Sequence, residues 1–72
     1  MDFNEKLREY RTQSGLSQGK LAETLNVSRQ AITKWESGNG MPDISNLKAL
    51  SGVFNVSVDE LLSEEAVKPR YP

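Results

Sequence analysis

The residues best suited to chemistry in this sequence are four polar side chains crowded into one short stretch, Arg29, Gln30, Thr33 and Lys34. Arginine can donate to guanine O6 and N7 together, glutamine can pair in two-pronged fashion with adenine, and threonine can set its methyl against that of thymine. Lysine can reach a base or a phosphate. This is the chemistry of reading base edges. Bond-making chemistry is poorly provided for. The chain has no histidine and no cysteine, which removes the usual zinc ligands and the commonest general base. The serines at 14, 17, 28, 37, 45, 51, 57 and 63 lack an evident base, and most stand where helices would start. No enzymatic activity, cofactor or metal is expected.

Helical spacing supplies the elements that must position those four residues. Phe3, Leu7, Tyr10 and Arg11 fall on one face of a first helix, with Gly15 as its stop. Ser17 offers a cap to a short second helix with Leu21, Ala22 and Leu25 as its stripe, and Asn26 suits the left-handed conformation that ends it. Val27 is an apolar plug. Ser28 caps a third helix, in which Ala31, Ile32 and Trp35 share one side while Arg29, Gln30, Thr33, Lys34 and Ser37 take the opposite arc, up to Gly38.

The turn formers Asn39, Gly40, Met41 and Pro42 follow. Asp43 then caps a fourth helix with a core face of Ile44, Leu47, Leu50 and Phe54, and Gly52 inside it suggests a close packing neighbour. Ser57 and Glu60 fit a capping box before Leu61 and Leu62, which predicts a fifth helix of one or two turns. The pattern predicts an all-α domain over residues 1–63, with the reader at 17–38 and a flexible tail at 64–72.

At 72 residues one core is the ceiling. No apolar run is long enough to cross a bilayer, and without cysteine nothing points to an oxidising compartment, so a soluble cytoplasmic protein is expected. The formal net charge of −1 is not the footprint of a typical nucleic-acid binder. Distribution carries that case instead: from Ser17 to Lys34, Lys20, Arg29 and Lys34 stand against Glu23, while Asp59, Glu60, Glu64 and Glu65 crowd the far end.

Periodicity alone favours the plainer reading of the polar arc, a solvated helix face. Gln18 bears on the choice, because it falls on the face of Leu21, Ala22 and Leu25, where an unpaired buried amide is costly. At the helix start it can reach outward, where end amides make a natural phosphate seat; the alternative is a capping or solvent-exposed glutamine. Arg11 beside Leu7, and Glu36 beside Ile32 and Trp35, read as a structural ion pair between helices one and three. Trp35 reads as core.

The run Gly15-Leu16-Ser17-Gln18, Leu21-Ala22, Leu25-Asn26-Val27-Ser28, Ile32 and Trp35-Glu36-Ser37-Gly38 resembles the lambda/434 repressor and Cro family, also called the XRE family. The likeness covers residues 3–62. It implies a compact five-helix, lambda-repressor-like helix-turn-helix domain that binds double-stranded operator DNA, usually as a homodimer, and regulates transcription, with repression the expected sense. The third helix, about 28–37, would enter the major groove. By the same resemblance Arg29, Gln30, Thr33 and Lys34 face bases or backbone, Gln18 contacts phosphate, and Arg11 pairs with Glu36.

Ser17, Ser28, Ser37 and Asn39 complete the expected backbone contacts. The loop after Gly38 departs from the family's basic pattern, since Asn39, Gly40 and Met41 carry no charge, which predicts modest affinity and a shallow salt dependence. Val58, Leu62, Val67 and Tyr71 are a candidate dimer patch, although Val58 and Leu62 read equally as core. The other functions considered are a protein-interaction module on the same scaffold and the DNA-binding part of a longer regulator.

Overall fold

Four of the five helices begin on a side chain that closes the open end of the backbone. In a computed structural model, which describes residues 1–67, Ser17, Ser28, Asp43 and Ser57 accept from the amides of Lys20, Ala31, Asn46 and Glu60 at 2.9–3.1 Å. Each such cap contributes about 1 kcal/mol. The helices are α1 Phe3–Gln13, α2 Gln18–Leu25, α3 Arg29–Ser37, α4 Ile44–Phe54 and α5 Val58–Leu62. Asn26 and Asn55 end α2 and α4 with φ near +58° and +56°, a region in which asparagine is among the least strained residues.

The core gathers one stripe from each helix: Leu7 and Tyr10 from α1, Leu21 and Ala22 from α2, Ile32 and Trp35 from α3, Leu50 and Phe54 from α4, and Leu61 from α5. Tyr10 stacks on Phe54 with ring centroids 5.5 Å apart. Helix α3 packs against both α1 and α2, so its inner face is fixed from two sides. Among the described residues no buried side-chain polar atom is left without a hydrogen bond, and no helix is long and apolar enough to cross a membrane.

Two expectations are corrected, and at Leu62 the core alternative is ruled out. Ile44 is 59% exposed rather than core: it stands at the first position of α4, while Leu47, Leu50 and Phe54 further along the helix are buried. Gly52 has no close neighbour, since a Cβ there would meet nothing within 4 Å. Leu62 is 48% exposed while Leu61 is fully buried, because adjacent helical positions diverge by about 100°.

The expected tail touches the body at its start. Glu64 accepts through its backbone oxygen from the Met1 amine at 2.7 Å, and Val67 packs on the core. The part of that expectation on residues 68–72, including Tyr71 of the suggested patch, lies outside the described residues.

Candidate nucleic-acid interface

Residues 26–28 turn the chain from α2 into α3. Val27 packs on the core and donates its amide to the Ala22 carbonyl at 2.9 Å, which fixes the angle between the two helices. Helix α3 then divides as its periodicity requires. Ile32, Trp35 and Glu36 are buried, and Arg29, Gln30, Thr33, Lys34 and Ser37 are exposed.

The exposed side chains differ in what they have left to offer. Among the described residues none hydrogen-bonds or pairs with the side chains of Arg29, Gln30 or Lys34, so their donors and acceptors face solvent. Thr33 is partly used: its hydroxyl lies 3.1 Å from the Arg29 carbonyl and 3.2 Å from Gln18 Oε1. Ser37 donates to the Lys34 carbonyl at 3.2 Å and accepts from Asn39 Nδ2 at 3.1 Å, which ties the start of the following loop to the end of α3. The capping oxygens of Ser17 and Ser28 each accept an amide bond and retain a hydroxyl hydrogen to donate.

Beneath this surface lies an ionic cluster that spans three helices. Arg11 donates from Nε to Glu36 Oε2 at 2.6 Å and from Nη2 to Oε1 at 3.1 Å, the two-pronged geometry that a planar guanidinium favours. Its remaining arm donates to the Leu16 carbonyl at 2.9 Å, which braces the turn into α2. Gln18 Nε2 donates to Glu36 Oε1 at 3.1 Å. The side chain of Gln18 therefore bridges Glu36 and Thr33 and is half-buried, instead of reaching outward alone. One amide hydrogen of Gln18 and the backbone N–H groups of Gln18 and Gly19, ahead of the capped Lys20 amide, remain at the start of α2.

Two charged residues escaped the sequence reading. Lys6 is fully buried and donates to the carbonyl and hydroxyl of Ser63 at 3.1 and 3.0 Å, with Glu60 at 3.4 Å. Its place between Phe3 and Tyr10 at helical spacing was the available signal. Arg8, also on α1, stands with Nε 3.9 Å from Glu36 Oε1.

A short turn joins two helices, and the second has a buried face locked by an ion pair and an outer face of uncommitted polar groups, which is a helix-turn-helix arrangement. A family model described as helix-turn-helix matches residues 7–61, and the chain belongs to that family, of the XRE type, which comprises regulator domains rather than enzymes. Among its relatives, the HTH-type transcriptional activator BcrR of Enterococcus faecalis is 57% identical over 65 residues, covering 90% of this chain and 32% of the relative. An uncharacterized HTH-type transcriptional regulator from a Bacillus subtilis prophage, YonR, is 42% identical over 60 residues, covering 83% of this chain and 56% of its own length.

The fold is similar to that of the P22 c2 repressor protein in complex with a synthetic operator, with TM-score 0.84 and 32% identity over 90% of this chain and 98% of that one. The chain thus spans about a third to just over half of these two curated relatives.

Proposed function

We propose that this chain is the DNA-reading domain of a transcription regulator, inserting α3 into the major groove of double-stranded operator DNA. The carrying observation is the uncommitted arc of Arg29, Gln30 and Lys34 on a helix immobilised by the Arg11–Glu36 pair. Arg29 and Gln30, in the first turn, read bases; Lys34 reads a base or a phosphate. Thr33, with its hydroxyl engaged, offers its methyl to a thymine. Ser17, Gln18, Ser28, Ser37 and Asn39 hold the phosphates on either side, and residues 1–63 make up the reading unit.

Two copies bind as a homodimer in the cytoplasm, because two reading helices about 34 Å apart match successive major grooves on one side of the duplex. One reader serves either sense of regulation: BcrR is an activator and P22 c2 a repressor, and where the operator lies relative to the promoter sets the sign. The share of BcrR that the chain covers, 32%, favours a second reading in which this domain forms part of a longer regulator.

Selection of bound sites from random duplex DNA tests the assignment, and a two-fold repeat with half-sites one helical turn apart is the expected product. The double variant Arg29→Ala/Gln30→Ala should lose about 1–3 kcal/mol of discrimination per contact, with no change in thermal midpoint, since both side chains are exposed. No enriched site, or unchanged discrimination in the double variant, would remove the DNA-reading role and leave a protein-interaction module.

A further inference from the structure

We propose that Arg8 is a DNA-backbone contact, its guanidinium receiving a phosphodiester beside the start of α2; the proposal rests on the DNA-reading assignment above. Three donors converge on a single oxygen, Glu36 Oε1: Arg11 Nη2 at 3.1 Å, Gln18 Nε2 at 3.1 Å and Arg8 Nε at 3.9 Å. Arg11 already serves both oxygens of that carboxylate. The charge of Glu36, 3% exposed, is therefore balanced by Arg11, 14% exposed, and Arg8 is a surplus cation, 60% exposed.

A structural arginine would direct its fork at the carboxylate. Arg8 approaches beyond hydrogen-bond distance, and among the described residues nothing hydrogen-bonds its guanidinium. Glu5 and Glu9, its acidic neighbours on α1, do not pair with it there. Arg8 and Gln18 face the same oxygen, so the guanidinium, engaged only in this loose ion pair at 3.9 Å, stands within one phosphate's span of the Gln18 amide.

A guanidinium binds a phosphate through two parallel N–H bonds, which an ammonium does not reproduce. The site also resolves a deficit in the sequence. The loop after Gly38 has no cation, and Arg8 supplies from α1 a backbone charge that this loop lacks.

The test is binding of the whole chain to a random-sequence duplex over a range of salt concentrations, because a phosphate contact is independent of sequence. Arg8→Ala should reduce the slope of log K against log salt by about 0.9 per subunit and leave the thermal midpoint unchanged, and Arg8→Lys should restore the slope. A midpoint lowered by several degrees with an unaltered slope would instead make Arg8 a buttress for Glu36 and overturn the proposal, as would no change in either. Discrimination by Arg29 and Gln30 can fail while this slope result stands, and the reverse. A wild-type chain that binds no duplex even at low salt would overturn both.

Discussion

Helix α1 carries two ionic clusters, and they are built in opposite senses. In the Arg11 cluster the carboxylate is the more deeply buried partner, with Glu36 3% and Arg11 14% exposed. In the Lys6 cluster the cation is fully buried and the carboxylate, Glu60, is 36% exposed. The buried group in each case collects several partners. Glu36 receives both prongs of Arg11 and the Gln18 amide, whereas the three hydrogens of the Lys6 ammonium face the Ser63 carbonyl, the Ser63 hydroxyl and Glu60. The first cluster ties α1 to the two helices of the reader; the second ties α1 to α5 and the chain that leaves it. Rigidity of the reader and docking of the chain end are thus separable properties of one helix.

The largest effect expected from this difference is at Arg11. Arg11→Ala strands a carboxylate with almost no access to water and should cost about 3–5 kcal/mol, much of the stability of so small a domain. Glu36→Ala should cost less, because the stranded guanidinium is closer to solvent and keeps its bond to the Leu16 carbonyl. Urea denaturation of both variants checks the order. A loss below about 1 kcal/mol for Arg11→Ala, the range of exposed pairs, would break the comparison at its stronger end.

The two clusters also differ in how legible they were. Arg11 and Glu36 each stand beside apolar stripe positions, and a charge on such a face demands a partner, so the pair was readable from spacing. Lys6 was not read, because it sits in the charged run Glu5-Lys6 with Arg8 and Glu9 just beyond, and its hydrogen-bond acceptors are the carbonyl and hydroxyl of Ser63, fifty-seven positions away, in a segment without periodicity. The same contrast runs through the fold. Helix starts announced themselves through Ser17, Ser28, Asp43 and Ser57, whose side chains act within three residues. The exposure of Ile44 and Leu62 did not, since it depends on tertiary packing and not on residue type.

Within the site, the exposed arc of Arg29, Gln30, Thr33, Lys34 and Ser37 was readable from its 100° steps. The engagement of Gln18 by Glu36 and Thr33 was hidden, because it depends on the distance between α2 and α3.

The second effect in size is at Lys6. Lys6→Ala removes a charged donor from Ser63 and Glu60 and should cost about 1.5–3 kcal/mol, less than Arg11→Ala because the stranded carboxylate of Glu60 still reaches water and still accepts from Tyr10 Oη at 3.0 Å. Lys6→Met keeps the side-chain volume and should cost less again. Neither should alter discrimination between DNA sites, in contrast to changes at the reader cluster. Equal losses for Lys6→Ala and Arg11→Ala in the same denaturation series would show that depth of the stranded group does not decide the cost.

The smallest effect sharpens the comparison from inside the reader cluster. Gln18→Ala removes one donor from a carboxylate that keeps both prongs of Arg11, and releases the Thr33 hydroxyl to its own helix carbonyl, so the expected cost is about 1 kcal/mol. That cost exists only while Glu36 is present to accept. In a double-mutant cycle with Glu36→Ala the two changes should therefore be less than additive, with a coupling of about 0.5–1 kcal/mol. Strict additivity would mean that Gln18 is a bystander to the Arg11–Glu36 pair. A coupling of that size would instead make Gln18 the residue through which the buried charge holds the start of α2 against α3, and hence the backbone seat against the base-reading arc.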